Sequence, residues 1–213
     1  MTRDVTVVGA GGFGRECLDV LAAVEARTPG TFRVVGVVDS APDELALDEL
    51  RKGGVAWLGT VEDWLRTSPS SAFVVAIGSP EVRARIVRQL ENAGLEPATA
   101  VHPSAVLGSR SVPGPGSVIC AGTQISTNVR LGRHVHVNPN ATVGHDAVVS
   151  DFVSVNPGAV ISGAVRISSR VLVGAGAVVL QGLALGEGAT VGAASCVTRD
   201  VAPHRVVMGV PAR

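Results

Sequence analysis

Residues 119–197 read, in groups of six, ICAGTQ ISTNVR LGRHVH VNPNAT VGHDAV VSDFVS VNPGAV ISGAVR ISSRVL VGAGAV VLQGLA LGEGAT VGAASC V. The first residue of every group is Ile, Leu or Val, so fourteen aliphatic residues recur at a spacing of six without a break. We call these fourteen residues the anchors. The same step taken backwards from Ile119 reaches Pro113, Leu107 and Val101, which predicts that the repeat begins near His102 with one weak position.

A spacing of six fits neither regular secondary structure alone, because a helix repeats its apolar residues at about 3.6 and a half-buried strand alternates them. The residue after each anchor is mostly Gly, Asn or Ser, and small residues at a fixed position let a backbone turn tightly. The pattern predicts a β-helix of very short strands, each turning one aliphatic side chain inward. The alternative, a long amphipathic helix, is disfavoured by the many Gly and β-branched residues.

The anchors continue from 119 to 197 without an insertion, so no long loop is expected to leave the coil there. An active site on such a coil must be built from the coil's own side chains. We therefore expect a neighbouring subunit to complete it.

The N-terminal part of the chain has the pattern of a nucleotide-binding α/β unit. A short apolar run at residues 4–9 is followed by Gly9-Ala10-Gly11-Gly12-Phe13-Gly14 and then by a helical pattern. Glycines placed there let the backbone approach a phosphate, and the helix N-terminus favours its negative charge. Asp39 ends the next predicted strand, about where a dinucleotide fold carries its ribose-binding acid. A simple strand-to-helix turn remains the alternative.

Two domains are predicted, at residues 1–97 and 98–213. The first holds three or four strands, including 32–39 and 71–78, with helical segments at 62–66 and 81–93. It is too short for both halves of a dinucleotide fold, so a mononucleotide or a nucleotide-linked sugar is the expected ligand. The second domain is the coil, and its last residues, 201–213, leave the repeat and are expected to cap it.

Composition excludes several classes of function. Eighteen basic and eighteen acidic residues give a net charge of zero, which argues against a nucleic-acid partner. The three cysteines, Cys17, Cys120 and Cys196, are odd in number and far apart, so neither a disulfide framework nor a zinc site is expected. The chain shows no signal-peptide pattern and no apolar run of about 18 residues, so we expect a cytoplasmic protein without a membrane partner.

His145 and Asp146 are the candidate catalytic pair. His145 lies two residues after the anchor Val143, a position that should place its ring on the outer surface of the coil. Acyl transfer from a thioester needs a group that takes a proton from the nucleophile, and imidazole titrates near neutral pH. A neighbouring carboxylate can fix the tautomer and raise the basicity. Taken alone, such a pair is more often a solvated surface feature.

Several segments resemble the hexapeptide-repeat sugar acyltransferases. They are the N-terminal glycine motif, the repeat itself, His145-Asp146 followed by Asp151-Phe152 and Asn156-Pro157-Gly158-Ala159, and the ending Met208-Gly-Val-Pro-Ala-Arg. The resemblance is to the sialic acid O-acetyltransferase type and the nucleotide-amino-sugar N-acetyltransferase type. It implies a left-handed parallel β-helix with about three groups of six per turn, a homotrimer, and acetyl-CoA as the co-substrate without a metal.

The resemblance also implies individual roles. His145 corresponds to the general base and Asp146 to its acidic partner. The positions that correspond to nucleotide-sugar or acceptor contacts are Gly11, Gly12, Phe13, Asp39, Ser40, Gly78 and Asn138. The positions that correspond to coenzyme A contacts are Ser154, Ala175, Ala193, Gly209, Val210 and Pro211. Ser154 departs from the family, whose members often carry a histidine there that contacts the acetyl donor.

Three other functions stay open at this point. O-acetylation of a sialic-acid-like sugar would use the same base and coil as N-acetylation of a UDP- or dTDP-linked 4-amino-6-deoxy sugar. A binding module that has lost catalysis would explain Ser154. A metal enzyme of the γ-carbonic anhydrase type would need histidine ligands, but His134, His136 and His145 do not have that family's spacing.

Overall fold

The computed structural model describes residues 2–67 and 69–213. Within those residues, the N-terminal unit contains three strands and four helices. They are β1 Arg3–Val8, α1 Gly12–Arg27, β2 Phe32–Val38, α2 Glu44–Lys52, α3 Val61–Arg66, β3 Ala72–Val75 and α4 Pro80–Asn92. Helix α2, capped by the Asp43 side chain, is an element that the sequence analysis missed.

The three strands form one parallel sheet in the order β2-β1-β3. The chain passes from β1 to β2 on one side of β1 and then crosses to β3 on the other side. The order in which the strands are added to the sheet therefore reverses next to β1. In open α/β sheets a ligand binds outside the carboxyl ends of the strands at such a reversal. The glycine motif after β1 and Gly78 after β3 both lie at that end of the sheet.

The glycine motif has the geometry that phosphate-binding turns require. Gly9 has a φ of 116°, and a Cβ there would lie 2.7 Å from the Ala76 carbonyl oxygen. Gly11 and Gly12 face open space, whereas a Cβ on Gly14 would strike the Gly9 carbonyl. Only glycine therefore fits the first and last positions, and the middle of the loop is open to a ligand.

The rest of the chain is a parallel β-helix of two-residue strands. These are β4 Ala100–Val101, β5 Val106–Leu107, β6 Val118–Ile119, β7 Gln124–Ile125, β8 Arg130–Leu131, β9 His136–Val137, β10 Thr142–Val143, β11 Val148–Val149, β12 Ser154–Val155, β13 Val160–Ile161, β14 Arg166–Ile167, β15 Leu172–Val173, β16 Val178–Val179, β17 Ala184–Leu185, β18 Thr190–Val191, β19 Cys196–Val197 and β20 Val206–Val207.

The strands stack into three sheets of seven, six and four strands. Thr142 pairs with Gln124 below and Val160 above, so each strand pairs with the strand eighteen residues away. This register holds until β18, where Thr190 pairs with Val206 instead. The predicted β-helix without insertions is confirmed, and it makes about six turns.

All fourteen anchors are buried along the axis of the coil. The residue two before an anchor is buried as well; Ala141, Val153 and Ala177 are examples. Each two-residue strand turns its anchor inward, as predicted, and the corner before it adds a second inward side chain to each group of six. This double row fills the core without aromatic residues.

The corners explain why the residue after an anchor is small, and the reason differs from the expected one. The backbone takes positive φ at the third residue after the anchor, where Asn128, Asp146 and Phe152 all have φ of 59°. At the first residue after the anchor a Cβ would instead meet the next turn of the coil. On Gly144 it would lie 2.6 Å from the Gly163 nitrogen. At Gly144, close stacking of turns rather than the bend itself therefore excludes a side chain.

The C-terminus folds back over the last turn. The Ala212 N–H donates to the Cys196 carbonyl at 2.7 Å, and Ala212 is buried in the coil core. Met208 and Arg213 exchange backbone hydrogen bonds at 3.1 Å. The expected cap is therefore present. No helix within the described residues is long and apolar enough to cross a membrane.

Candidate active site

The His145–Asp146 pair lies at a corner between β10 and β11. His145 Nδ1 lies 2.8 Å from Asp146 Oδ2, and the two side chains are 64% and 52% exposed. Asn128, one turn below, donates to Asp146 Oδ1 at 2.5 Å. The hydrogen bond from Asn128, and then that from His145, holds the pKa of Asp146 below its ordinary value. Asp146 is therefore ionised at neutral pH.

An ionised carboxylate only accepts hydrogen bonds, so His145 must donate from Nδ1. The neutral ring then carries its lone pair on Nε2, which is the arrangement that a general base needs. The ring rests on Gly163, one turn above: a Cβ on Gly163 would lie 2.5 Å from His145 Nε2. Gly163 therefore lies directly against the His145 ring, a contact that was not predicted from the sequence.

A cavity of about 310 Å³ lies between the N-terminal unit and the coil. It brings together four of the predicted substrate residues, Gly12, Phe13, Gly78 and Asn138. Four further residues were not assigned to the site from the sequence: Glu16, His136, Asn156 and Pro157. Asn138 donates from Nδ2 to the Val155 carbonyl at 3.1 Å and to Asn156 Oδ1 at 3.3 Å.

Arg83 joins the N-terminal unit to the coil next to this cavity. It is fully buried on α4, and its Nη1 donates to the Ile77 carbonyl at 2.7 Å. Its Nη2 donates to the Phe152 carbonyl at 2.7 Å and to Ser154 Oγ at 3.1 Å. Burial lowers the pKa of Arg83 to about 9, so the guanidinium still carries its charge at neutral pH.

Ser154 belongs to the same network. Its hydroxyl donates to the Gly78 carbonyl at 3.0 Å, and the residue is 1% exposed. A serine at this position therefore fixes the Gly78 loop on the coil. This contact buries Ser154 inside the protein, and its expected place beside coenzyme A stays a prediction.

The remaining predicted nucleotide residues lie at the end of the N-terminal sheet. Asp39 accepts from the Ala10 N–H at 2.8 Å and from the Ala41 N–H at 2.9 Å, so it orders the loop that contains Gly11. Ser40 beside it is exposed. Trp57, which was not predicted to belong to the site, is 45% exposed and donates its indole N–H to the Asp39 carbonyl at 3.2 Å.

The corners that follow β9, β12, β15 and β18 form one edge of the coil, which we call the pocket edge (residues 138–141, 156–159, 174–177 and 192–195). Ala175 and Ala193 are exposed on it, above Asn138. The terminal turn of Gly209, Val210 and Pro211 is joined to its upper end, because the Gly209 N–H donates to Ser195 Oγ at 2.9 Å. The predicted coenzyme A residues other than Ser154 therefore follow one line.

The corners after β10 and β13 form the next edge, which we call the histidine edge (residues 144–147 and 162–165). His145 lies there and does not line the cavity. The chain thus places Asn138 and the predicted donor residues other than Ser154 on one edge and the predicted base on another.

His134 and His136 are buried side chains of the domain contact. His134 stacks between Phe73 and Phe152 at ring distances of 6.0 and 5.3 Å. Burial, and then the charge of Arg133, lowers the pKa of His134 to about 3. Among the described residues, no group of three or more His, Cys, Asp or Glu side chains could hold a metal ion.

The N-terminal unit and the repeat both have known relatives. Residues 4–90 match the family described as PglD N-terminal domain. GDP-perosamine N-acetyltransferase of Escherichia coli O157:H7 is 33% identical over 148 residues, covering 70% of this chain and 65% of that protein. UDP-N-acetylbacillosamine N-acetyltransferase of Bacillus subtilis (strain 168) is 33% identical over 123 residues, covering 56% and 52%. The chain thus spans less than two thirds of these curated relatives.

Solved structures match over nearly the whole chain. A histidine-to-asparagine mutant of perosamine N-acetyltransferase from Caulobacter crescentus, in complex with CoA and GDP-perosamine, has a TM-score of 0.87 at 29% identity. The match covers 99% of this chain and 95% of that one. The acetyltransferase domain of PglB from Neisseria gonorrhoeae FA1090 has a TM-score of 0.85 at 28% identity, covering 100% and 99%.

A parallel β-helix preceded by a glycine-loop α/β unit is the architecture of these acetyltransferases. The chain is similar to the hexapeptide-repeat sugar acyltransferases along nearly its whole length.

Proposed function

We propose that the protein transfers the acetyl group of acetyl-CoA to the amino group of a nucleotide-linked amino sugar, with His145 as general base. The observation that carries the proposal is the contact of His145 Nδ1 with an ionised Asp146 at 2.8 Å, which leaves Nε2 to take a proton. The relatives support it, because two curated ones are named as N-acetyltransferases of nucleotide sugars.

In the proposed reaction the sugar amine attacks the thioester carbonyl carbon while His145 Nε2 removes a proton from the nitrogen. The C–N bond forms, the C–S bond breaks, and the coenzyme A thiolate leaves and is protonated. Asp146 stabilises the imidazolium that forms. Backbone N–H groups of the coil would stabilise the oxyanion.

We place the donor along the pocket edge. Ala175 and Ala193 are exposed there without large side chains, which leaves room for the pantetheine arm beside the backbone. The turn of Gly209, Val210 and Pro211 would cover the adenine end. The solved relatives with bound CoA or acetyl coenzyme A support this choice of co-substrate.

The acceptor would lie in the cavity between Phe13 and Asn138, with its nucleotide over the Gly11–Gly12 loop and near Asp39 and Ser40. The relatives' names widen the sequence-based expectation of a UDP or dTDP sugar, since one of them acts on a GDP sugar. Both GDP- and UDP-linked amino sugars are therefore candidates.

We further propose a homotrimer in which the histidine edge of one subunit meets the pocket edge of the next. Support comes from the chain itself, because His145 and the cavity lie on different edges of the coil and neither edge carries both. The active site would then be complete only between subunits.

A thiol-release assay with acetyl-CoA and a panel of GDP- and UDP-linked 4-amino sugars tests the activity. We expect turnover with at least one acceptor, and we expect His145→Ala to lower kcat by roughly 10²–10⁴-fold. His204→Ala is the matched control, because that exposed ring also rests on a glycine of the turn below, Gly188, but lies outside the site. An unchanged rate in His145→Ala would remove this histidine from the mechanism.

Mixed subunits test the shared site. His145→Ala and Asn138→Leu subunits, co-expressed in equal amounts and each inactive alone, should regain about one quarter of wild-type activity, since one interface in four pairs an intact base with an intact cavity. A mixture that forms hybrid oligomers but gains no activity would place the base and the cavity in the same subunit.

A further inference from the structure

His136 is a buried polar side chain that the proposed reaction does not yet use. It lines the cavity between Phe13 and Asn138, yet the residue is only 1% exposed. Phe13 covers its ring at a centroid distance of 4.7 Å. Within the described residues, neither ring nitrogen has a hydrogen-bond partner.

The ring is neutral. Burial first, and then the charge of the neighbouring Arg83, keep the pKa of His136 well below its ordinary value. A neutral imidazole has one N–H donor and one acceptor nitrogen. The Val75 carbonyl lies near the ring and raises the pKa slightly, but a carbonyl can only accept. The Val75 carbonyl can accept a hydrogen bond from the ring N–H, but the other ring nitrogen still needs a donor.

The surrounding side chains do not supply that donor. Arg83 Nε donates to the His134 carbonyl at 3.1 Å, and its other two nitrogens are bonded to carbonyls and to Ser154. The Asn138 amide donates to Val155 and Asn156. The free protein therefore keeps an unsatisfied acceptor nitrogen beside its cavity. A buried acceptor without a donor lowers the stability of the fold.

The character of the cavity indicates which ligand brings the donor. Glu16 lines the cavity, whereas no Lys or Arg among the described residues does, so phosphate is disfavoured there. Phe13 and Pro157 offer apolar surface, and Asn138 and Asn156 offer amides. A volume of about 310 Å³ is at the low end for ligand pockets and suits one sugar ring better than a whole nucleotide sugar.

We propose that His136 is a specificity-determining residue of the sugar subsite, whose free ring nitrogen accepts a hydrogen bond from a hydroxyl group of the acceptor sugar. The proposal rests on the proposed function, because it assumes that the cavity holds the sugar of a nucleotide-linked amino sugar. Since Phe13 covers the ring in the free protein, the sugar must displace this side chain to reach the nitrogen.

The test compares wild type with His136→Leu, which keeps most of the volume and removes both nitrogens. We expect binding of the nucleotide amino sugar, measured by calorimetry, to weaken about tenfold, and binding of free GDP or UDP and the KM for acetyl-CoA to stay unchanged. The thermal midpoint should stay the same or rise, because an unsatisfied buried group has been removed. His136→Met provides the same test if His136→Leu does not fold.

A series of sugars that each lack one hydroxyl group identifies the partner. Wild type should bind one member of the series about tenfold more weakly, and the variant should not distinguish that member from the parent sugar. Equal losses for free nucleotide and nucleotide sugar would show general damage and overturn the proposal. Unchanged sugar binding by the variant, with wild-type turnover present, would overturn the role of His136 alone. A wild-type protein that neither binds nor acetylates any of the sugars would overturn the proposed function as well.

Discussion

Replacing Gly163 by Ala should damage catalysis without damaging the fold. The added Cβ would lie 2.5 Å from His145 Nε2 and 2.6 Å from Cε1, and its three nearest neighbours are all atoms of that ring. Ordinary van der Waals contact begins near 3.4 Å. The imidazole must therefore move by about 1 Å, and a displacement of that size in a catalytic group can cost about 10²-fold in rate.

The assay is steady-state thiol release, with circular dichroism melting in parallel. We expect kcat to fall about 100-fold and the thermal midpoint to change little, because Gly163 does not have positive φ and the clash involves a flexible side chain. Ser169→Ala, at the same position of the repeat on a third edge, is the control and should change neither quantity. A Gly163→Ala enzyme with wild-type kcat would show that the position of the His145 ring does not matter.

Three further predictions concern stability. Gly144→Ala should lower the free energy of unfolding by about 1–3 kcal/mol in denaturant titrations, because its Cβ meets backbone atoms of the next turn at 2.6 Å; an unchanged midpoint would contradict the stacking argument. Arg83→Met should lower the free energy of unfolding by about 3 kcal/mol in the same titration, because several buried carbonyls lose their donor. The control is Arg85→Met on the same helix, which should lower it by less than about 0.5 kcal/mol because Arg85 is exposed. The free energy of unfolding should fall as the pH drops from about 6.5 towards 3. The folded protein keeps His134 neutral, with a pKa of about 3, whereas the unfolded chain binds a proton on this histidine over that range. A histidine of this kind lowers the free energy of unfolding by up to about 1.4 kcal/mol for each pH unit of the drop. The melting temperature of His134→Phe should depend less on pH over that range, and an equal dependence would exclude this histidine.

The coil could be predicted from the sequence because each turn repeats the same pattern of inward aliphatic residues and corners. The anchors from Ile119 to Val197 are all buried in one continuous cluster along the coil, so the periodicity alone defines the strands. The hand of the coil came only from the resemblance, since a spacing of six is the same in either hand. Helix α2 was missed because its burial depends mainly on Ala46 and Leu50, a weak apolar signal in a charged segment.

The site was predicted in part, for a similar reason. The His145–Asp146 contact is local, and a carboxylate next to a histidine in sequence is enough to predict it. The cavity depends on how the N-terminal unit packs on the coil, a contact made by Arg83 and by the buried histidines. Nothing in the sequence near His136 indicates that Phe13, more than a hundred residues earlier, covers its ring.

The constant eighteen-residue register fixes the distance between equivalent residues of successive turns. Each turn adds about 4.8 Å along the axis, so Asn138 and Ala193, three turns apart, are separated by about 14 Å in that direction. If the thioester carrier lies along that edge, its length must match a whole number of turns. Inserting or deleting one full turn between Asn138 and Ala193 would keep every side chain facing the same way. It would change the distance between these two residues by about 4.8 Å. The protein could therefore accommodate a longer or shorter carrier only in steps of that length.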